Sequence, residues 1–252
     1  MKVIFLGTNG WYSTPTGDTP CILIDSKEHY VVFDAGNGIY KLDSYIKEDK
    51  PISMFISHFH LDHVSGLHTM GKFDFKQGID VFLGEGRTKD FETLMNPPFT
   101  VGSKSGSEGG RNTKIRLHEL LEGEENTPFK ATAAKQHHAY VDHGFRIELD
   151  GKTIAYTGDC GYSEQTLTLA RDADLLIAEC TKKKVPEIYE WGHMDPYVTA
   201  NLAKRANVKH LILTHFEAAL YLKPQDRKWA EEEARKIFPN AIAATDLFEF
   251  EL

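Results

Sequence analysis

His58-Phe59-His60-Leu61-Asp62-His63 constrains this chain more than any other stretch. Its six residues carry three imidazoles and one carboxylate. Alternate residues of an extended strand face the same side, so His58 and His60 can converge on one ion. Asp62 and His63 lie past the strand end, where the chain turns, and can face a second point nearby. Neutral imidazole and carboxylate are the donors that zinc and its borderline neighbours prefer. A chain built around this segment must present a strand end, and the turn after it, where further donors can join.

The 252 residues suffice for a sizeable core in one α/β domain or two small ones. No linker divides them, so we read a single domain over 1–252. The formal net charge is -8, and two bound divalent cations would leave it at -4. That balance argues against a grip on long nucleic acid, which usually needs a basic surface. A small anionic substrate remains compatible, because the metals would be the local positive charge. Cys21, Cys160 and Cys180 are odd in number and lack CxxC spacing. They read as small buried residues of a reduced, cytoplasmic chain. Met1 to Gly7 reads as a first strand rather than a signal peptide, and no stretch reaches the length of a membrane-spanning helix.

Short β-like runs end repeatedly in Gly, Asp or His. Strands are expected at Lys2–Leu6, Cys21–Asp25, Tyr30–Asp34, Ile52–Ser57 and Asp80–Leu83, with helices after Asp34-Ala35-Gly36 to about Lys47, at His63–Met70 and at Thr88–Met95. Asn96 to Thr113, with its Gly/Ser run from Gly102 to Gly110, reads as a flexible loop, a lid or a subunit contact of a homodimer. The second half has strands at Lys114–Leu121 and Phe129–Lys135. Gly144–Leu149 and Lys152–Thr157 flank the hairpin signal Asp150-Gly151. Helices are expected from Ser163, from Asp195 with Pro196 in the first turn, and over Gln225–Ile237. Leu175–Ala178 and His210–Thr214 are buried strands, and Ala241–Phe250 reads as one closing strand.

Three further donors share one context, a polar residue at or just past the end of an apolar strand. They are His138, Asp159 after Ile154-Ala155-Tyr156-Thr157-Gly158, and His215 after Leu211-Ile212-Leu213-Thr214. Strand ends along one sheet edge form a shared rim, where α/β folds place their sites. Strand periodicity puts His137 and His138 on opposite faces, so only one of them should join.

At these residues the chain resembles the metallo-β-lactamase superfamily, and within it the ribonuclease Z branch. The likeness rests on Leu6-Gly7-Thr8, Asp34-Ala35-Gly36, Ser57 to Leu67, His138 six residues before Gly144-Phe145-Arg146, Tyr156-Thr157-Gly158-Asp159 and Leu213-Thr214-His215. It implies a four-layer αβ/βα sandwich and a dinuclear site for two divalent ions, zinc first, with manganese or iron as alternatives. It also implies a partition. His58, His60 and His138 hold one ion, Asp62, His63 and His215 the other, and Asp159 bridges them. The spacing to Gly144 favours His138 over His137. By the same resemblance Asp34 is a carboxylate that orients a ligand histidine. Glu179, in Glu179-Cys180-Thr181, orients His193 as the acid that protonates the leaving oxygen. Asp62 is both a ligand and a candidate orienter of the attacking hydroxide that bridges the metals.

The branch's transfer-RNA-gripping arm lies between the third and fourth ligand motifs. Here His138 and Asp159 stand 21 positions apart (159 − 138), and a hairpin fills that gap. The expected enzyme is therefore a hydrolase of a small or cyclic phosphodiester or short RNA. A transfer-RNA 3′ endonuclease and a carboxyl-ester, lactone or thioester hydrolase are the alternatives.

Overall fold

The protein is seen here as a computed structural model, and residues 1–100, 113–121, 127–186 and 191–252 are described. The first half runs β1 (Lys2–Gly7), β2 (Asn9–Gly10), β3 (Cys21–Asp25), β4 (Tyr30–Phe33) and β5 (Ile52–Phe55). It continues with α1 (Leu61–Val64), β6 (Ile79–Gly84), α2 (Thr88–Leu94) and β7 (Ile115–Leu120). The second half runs β8 (Lys130–Lys135), β9 (His143–Leu149), β10 (Lys152–Tyr156), α3 (Glu164–Ala170) and β11 (Leu175–Glu179). Then come α4 (Pro196–Arg205), β12 (His210–Thr214), β13 (Phe216–Glu217), α5 (Pro224–Arg235), β14 (Ala241–Ala243) and β15 (Phe248–Glu251).

Two sheets face each other. One has the order β15-β1-β3-β4-β5-β6-β7 and the other β14-β12-β11-β10-β9-β8. Strand alternation sorts the apolar residues into layers. Val3, Phe5, Val31, Phe33 and Phe55 point inward and meet Phe145, Ile147, Ile154, Tyr156 and Ile177 of the other sheet. Ile4, Leu6, Val32 and Met54 point outward onto Ile39, Leu42, Val64 and Leu67. Leu176, Ala178, Leu211 and Leu213 face Leu167, Leu202, Ala230 and Ala234 of α3, α4 and α5. The result is helix, sheet, sheet, helix: the four-layer α/β sandwich of the sequence reading.

Local chemistry explains several boundaries. Asp150 (φ 53°) and Gly151 (φ 72°) give the β9–β10 hairpin the left-handed pair that a two-residue turn demands. Ser163 caps α3 by accepting from the Thr166 amide. Asp195 caps α4 by accepting from Val198, and Pro196 stands in the first turn.

Four expectations differ from the structure. The stretch before Lys47 is a 3-10 helix over Asn37–Ser44. The expected His63–Met70 helix is α1 followed by a 3-10 helix over Ser65–Lys72. β5 stops at Phe55, so His58 and His60 lie in extended chain beyond it, and His60 is the N-cap of α1. The closing segment is two strands in different sheets, not one. The break falls at Thr245-Asp246-Leu247, where Leu247 has φ 64° and Asp246 binds Thr8 and Lys41. The Gly102–Gly110 run lies outside the described residues.

β4, β5, β6 and β7 are parallel neighbours, as are β10, β11, β12 and β14. Asp34, His58, Glu179, Asp159 and His215 each lie at or just beyond the C-terminal end of one of these strands. One rim of the sandwich thus collects them.

Candidate metal centre

The rim forms overlapping groups of donor atoms, each within 4.8 Å of one another: His58, His60 and His138; Asp62, His63 and His215; and His58, His63 and Asp159. The rings of His58 and His60 stand 4.6 Å apart, and His138 lies 5.2 and 5.1 Å from them. The His63 and His215 Nε2 atoms approach to 3.0 Å. Asp159 lies between the two sets. Its Oδ1 is 3.3 Å from His63 Nε2 and 3.2 Å from His215 Nε2, and its Oδ2 is 3.9 Å from His58 Nε2. β8 ends before His137, whose backbone bridges Gly161, and it is His138 that enters the cluster.

The donor set fits divalent cations. His58 Nε2 and His138 Nδ1 are buried and make no hydrogen bond. Unpaired polar atoms of this kind are costly in an interior unless an ion meets them.

Residues 29–216 match the model of the β-lactamase superfamily domain. The chain belongs to the β-lactamase superfamily. One relative is the probable metallo-hydrolase YhfI of Bacillus subtilis, 27% identical over 85% of this chain and 86% of that protein. The crystal structure of YhfI superposes with a TM-score of 0.80 at 23% identity, covering 99% of both chains. A ribonuclease Z of Methanosarcina mazei is 27% identical over 100% of this chain and 98% of its own. Human tRNase Z, short form, has a TM-score of 0.75 at 24% identity over 100% and 99% of the two chains. This superfamily member is a metal-dependent hydrolase.

Around the superfamily cluster, a second ring of groups holds the imidazoles. Asp34 Oδ2 lies 2.8 Å from His63 Nδ1 and also accepts from Ser57 Oγ (2.9 Å) and Tyr156 OH (2.5 Å), while its Oδ1 accepts from the Ser57 amide (2.7 Å). Asp142 Oδ2 lies 2.7 Å from His58 Nδ1. Thr181 Oγ1 lies 2.9 Å from His215 Nδ1. Oxygen at each Nδ1 fixes the tautomer and turns Nε2 toward the centre. Sequence reasoning found Asp34 but missed Asp142, Thr181 and Tyr156. Asp142 sits just before β9, and attention to strand ends alone passes over it.

Electrostatics bind the two shells. Burial lowers the pKa of His63, but Asp159, Asp62 and Asp34 outweigh it and raise it well above its ordinary value. Burial lowers that of His58, and His63 lowers it further. Burial and then Asp159 push Asp142 well up, against the partial relief that the His63 charge gives. Three carboxylates gathered around buried imidazoles mark a pocket that attracts cations.

His193 Nδ1 lies 2.8 Å from Glu179 Oε1, and His193 forms a further donor group with His138 and Asp159. Burial lowers its pKa, but the Glu179 charge and hydrogen bond prevail and lift it to about 9. Glu179 is 1% exposed and also accepts from the amides of Cys160, Thr181 and Met194. Its position is therefore fixed by four partners.

Backbone strain gathers here too. Asp34, His215 and Trp11 have φ of 58°, 54° and 76°, unusual outside glycine. Trp11 donates its amide to Asp62 Oδ2 at 2.7 Å. Gly10 must be glycine, because a Cβ there would come within 2.5 Å of His215 Cε1. Cys21, Cys160 and Cys180 are buried, and none belongs to a donor group among the described residues. No helix among the described residues is long and apolar enough to cross a membrane.

Proposed function

We propose that this hydrolase cleaves small phosphodiesters, with two divalent ions, zinc first, held at the rim. His58, His60 and His138 would hold one ion and Asp62, His63 and His215 the other, with Asp159 within reach of both sets. Two such ions supply Lewis acidity and an acidified water when bound. Asp34, Asp142 and Thr181 keep the ligand imidazoles turned inward. Asp62, tethered by the Trp11 amide, orients the attacking water. His193 donates the proton that the leaving oxygen needs, and Glu179 keeps it charged at neutral pH.

The observation that carries this reading is the Glu179–His193 pair beside the donor cluster. A phosphodiester suits a site with positive charge on one side and a fixed acid on the other. Small size follows from the segment between His138 and Asp159. It holds only the antiparallel pair β9 and β10, joined at Asp150-Gly151, and offers no arm for a long RNA. The ribonuclease Z relatives support a second reading, a transfer-RNA 3′ endonuclease. Three buried thiols suit a reducing cytoplasm.

The test is a panel of bis(p-nitrophenyl) phosphate, a 2′,3′-cyclic nucleotide, a precursor transfer RNA and an acyl ester, assayed with and without chelator alongside elemental analysis. Cleavage of the first two, lost on chelation, is expected. Turnover of the acyl ester alone would sink the phosphodiester reading, and turnover of the precursor alone would favour the second.

A further inference from the structure

A cavity of about 320 Å³ opens beside the metal centre, lined by Phe59, His60, Asp90, Thr93, Leu94 and Tyr140. Its volume lies within the range of small-ligand pockets. His60 joins it to the centre: one side of the ring meets His58 and His138, and the Tyr140 ring lies 5.9 Å away at 31°. Phe59, His60, Leu94 and Tyr140 make most of the wall flat and apolar. Tyr140 is 43% exposed, a large aromatic surface left open at the mouth of a site.

Arg87 fixes the geometry of this cavity. Its Nη1 donates to Tyr140 OH and to Asp90 Oδ2, both at 2.9 Å, and the guanidinium stands 5.8 Å from the Tyr140 ring centre. One cation thus ties the aromatic wall to α2. The polar edge that α2 offers is an acceptor edge. Asp90 is a carboxylate, and Thr93 spends its hydroxyl proton on the Lys89 carbonyl at 2.7 Å, leaving its oxygen to accept.

We propose that this cavity binds the base of a nucleoside phosphodiester, and that it prefers a base carrying an exocyclic amino group. The proposal rests on the phosphodiesterase reading for its catalytic consequence but not for binding. The planar ring lies among Phe59, Leu94 and Tyr140, its amino group donates toward Asp90, and the adjoining phosphate reaches the centre past His60. Cytosine presents an amino donor where uracil presents a carbonyl acceptor, so the two bases differ at the group that meets Asp90. Arg87 is a positioning residue.

The experiment compares 2′,3′-cyclic CMP, 2′,3′-cyclic UMP and ring-free glycerol cyclic phosphate on the wild type and Thr93→Trp. Thr93 is exposed on α2, and an indole there fills the cavity without entering the core. The wild type is expected to favour cyclic CMP over cyclic UMP. In the variant, kcat/KM for cyclic CMP relative to the ring-free diester should fall roughly tenfold, equivalent to about 1.4 kcal/mol. An equal fall on both substrates, or no fall, overturns the proposal. If the wild type cleaves no diester, the phosphodiesterase reading fails, and calorimetry with CMP and UMP then decides the pocket. CMP binding that Thr93→Trp abolishes upholds it. Absent CMP binding, or equal binding of UMP, overturns it.

Discussion

Four imidazoles of this rim have a job that depends on what touches their Nδ1. Asp34 serves His63, Asp142 serves His58, Thr181 serves His215 and Glu179 serves His193. Removing such an orienting oxygen typically costs 10–100-fold in metal affinity. Asp142→Ala is therefore expected to weaken zinc binding by roughly that factor in a competitive chelator titration, with the far-ultraviolet spectrum unchanged. His193→Gln tests the acid. It should lower kcat about 10²–10⁴-fold on an alkyl phosphodiester and far less on bis(p-nitrophenyl) phosphate, whose leaving group needs little protonation. Equal losses on both would assign His193 a merely structural part. The six-residue segment and the three strand-end donors were legible from side-chain type and spacing. Asp142 and Thr181 were not, because an Asp before a strand and a Thr two residues past a strand end have no spacing that distinguishes them from ordinary loop residues.

Elements bring these residues to one place, and their ends were harder to read than their centres. Buried strands such as Leu175–Glu179 and His210–Thr214 declare themselves by continuous apolar runs. The 3-10 segments do not, since Asn37–Ser44 and Ser65–Lys72 carry the same apolar spacing as short α-helices. Ala241 to Phe250 misled because its apolar content is nearly unbroken, while the change of sheet rests on the Asp246 contacts with Thr8 and Lys41. The cap of α4 is a direct test of element and site together. Asp195, two residues after His193, accepts from the amides of Val198 and Val185. Asp195→Ala should cost about 1 kcal/mol in denaturant melts. At the β6–β7 edge, Asp80 meets Arg116 at 2.7 and 2.6 Å and His118 at 2.8 Å. The Arg116 hydrogen bond, ahead of opposing burial, holds the Asp80 carboxyl below its ordinary 3.8. A depressed carboxylate stabilises the fold above its unfolded value and loses that effect as pH falls through the folded one. Asp80→Asn should therefore melt lower than the wild type at pH 7, and the gap should narrow as pH drops below 3.8. A gap that stays constant with pH would remove the ion pair from the account.

The whole molecule is two sheets pressed together through aromatic rings. Phe33 lies 4.9 Å from Tyr156 and 6.2 Å from Phe145, and Phe55 lies 5.2 Å from Phe145. Tyr156 then reaches from this core to Asp34, so packing between the sheets and orientation of His63 share one side chain. Phe145→Ala should cost about 3–5 kcal/mol in unfolding free energy, since it opens a hole where both sheets meet. The four-layer plan was legible from strands followed by helices in each half, whereas the pairing order depends on contacts too distant for local pattern to reveal. Among those contacts, β1 aligns Lys2 with Glu251, and the Leu252 amide donates to the Met1 carbonyl at 2.9 Å. During synthesis the outer edge of β1 thus waits, unpaired, until β15 has left the ribosome. Such a wait leaves a strand edge open to foreign pairing. A nascent chain stalled before Phe248 would present that edge to chaperones or to its own copies, so the first sheet is completed only when β15 arrives.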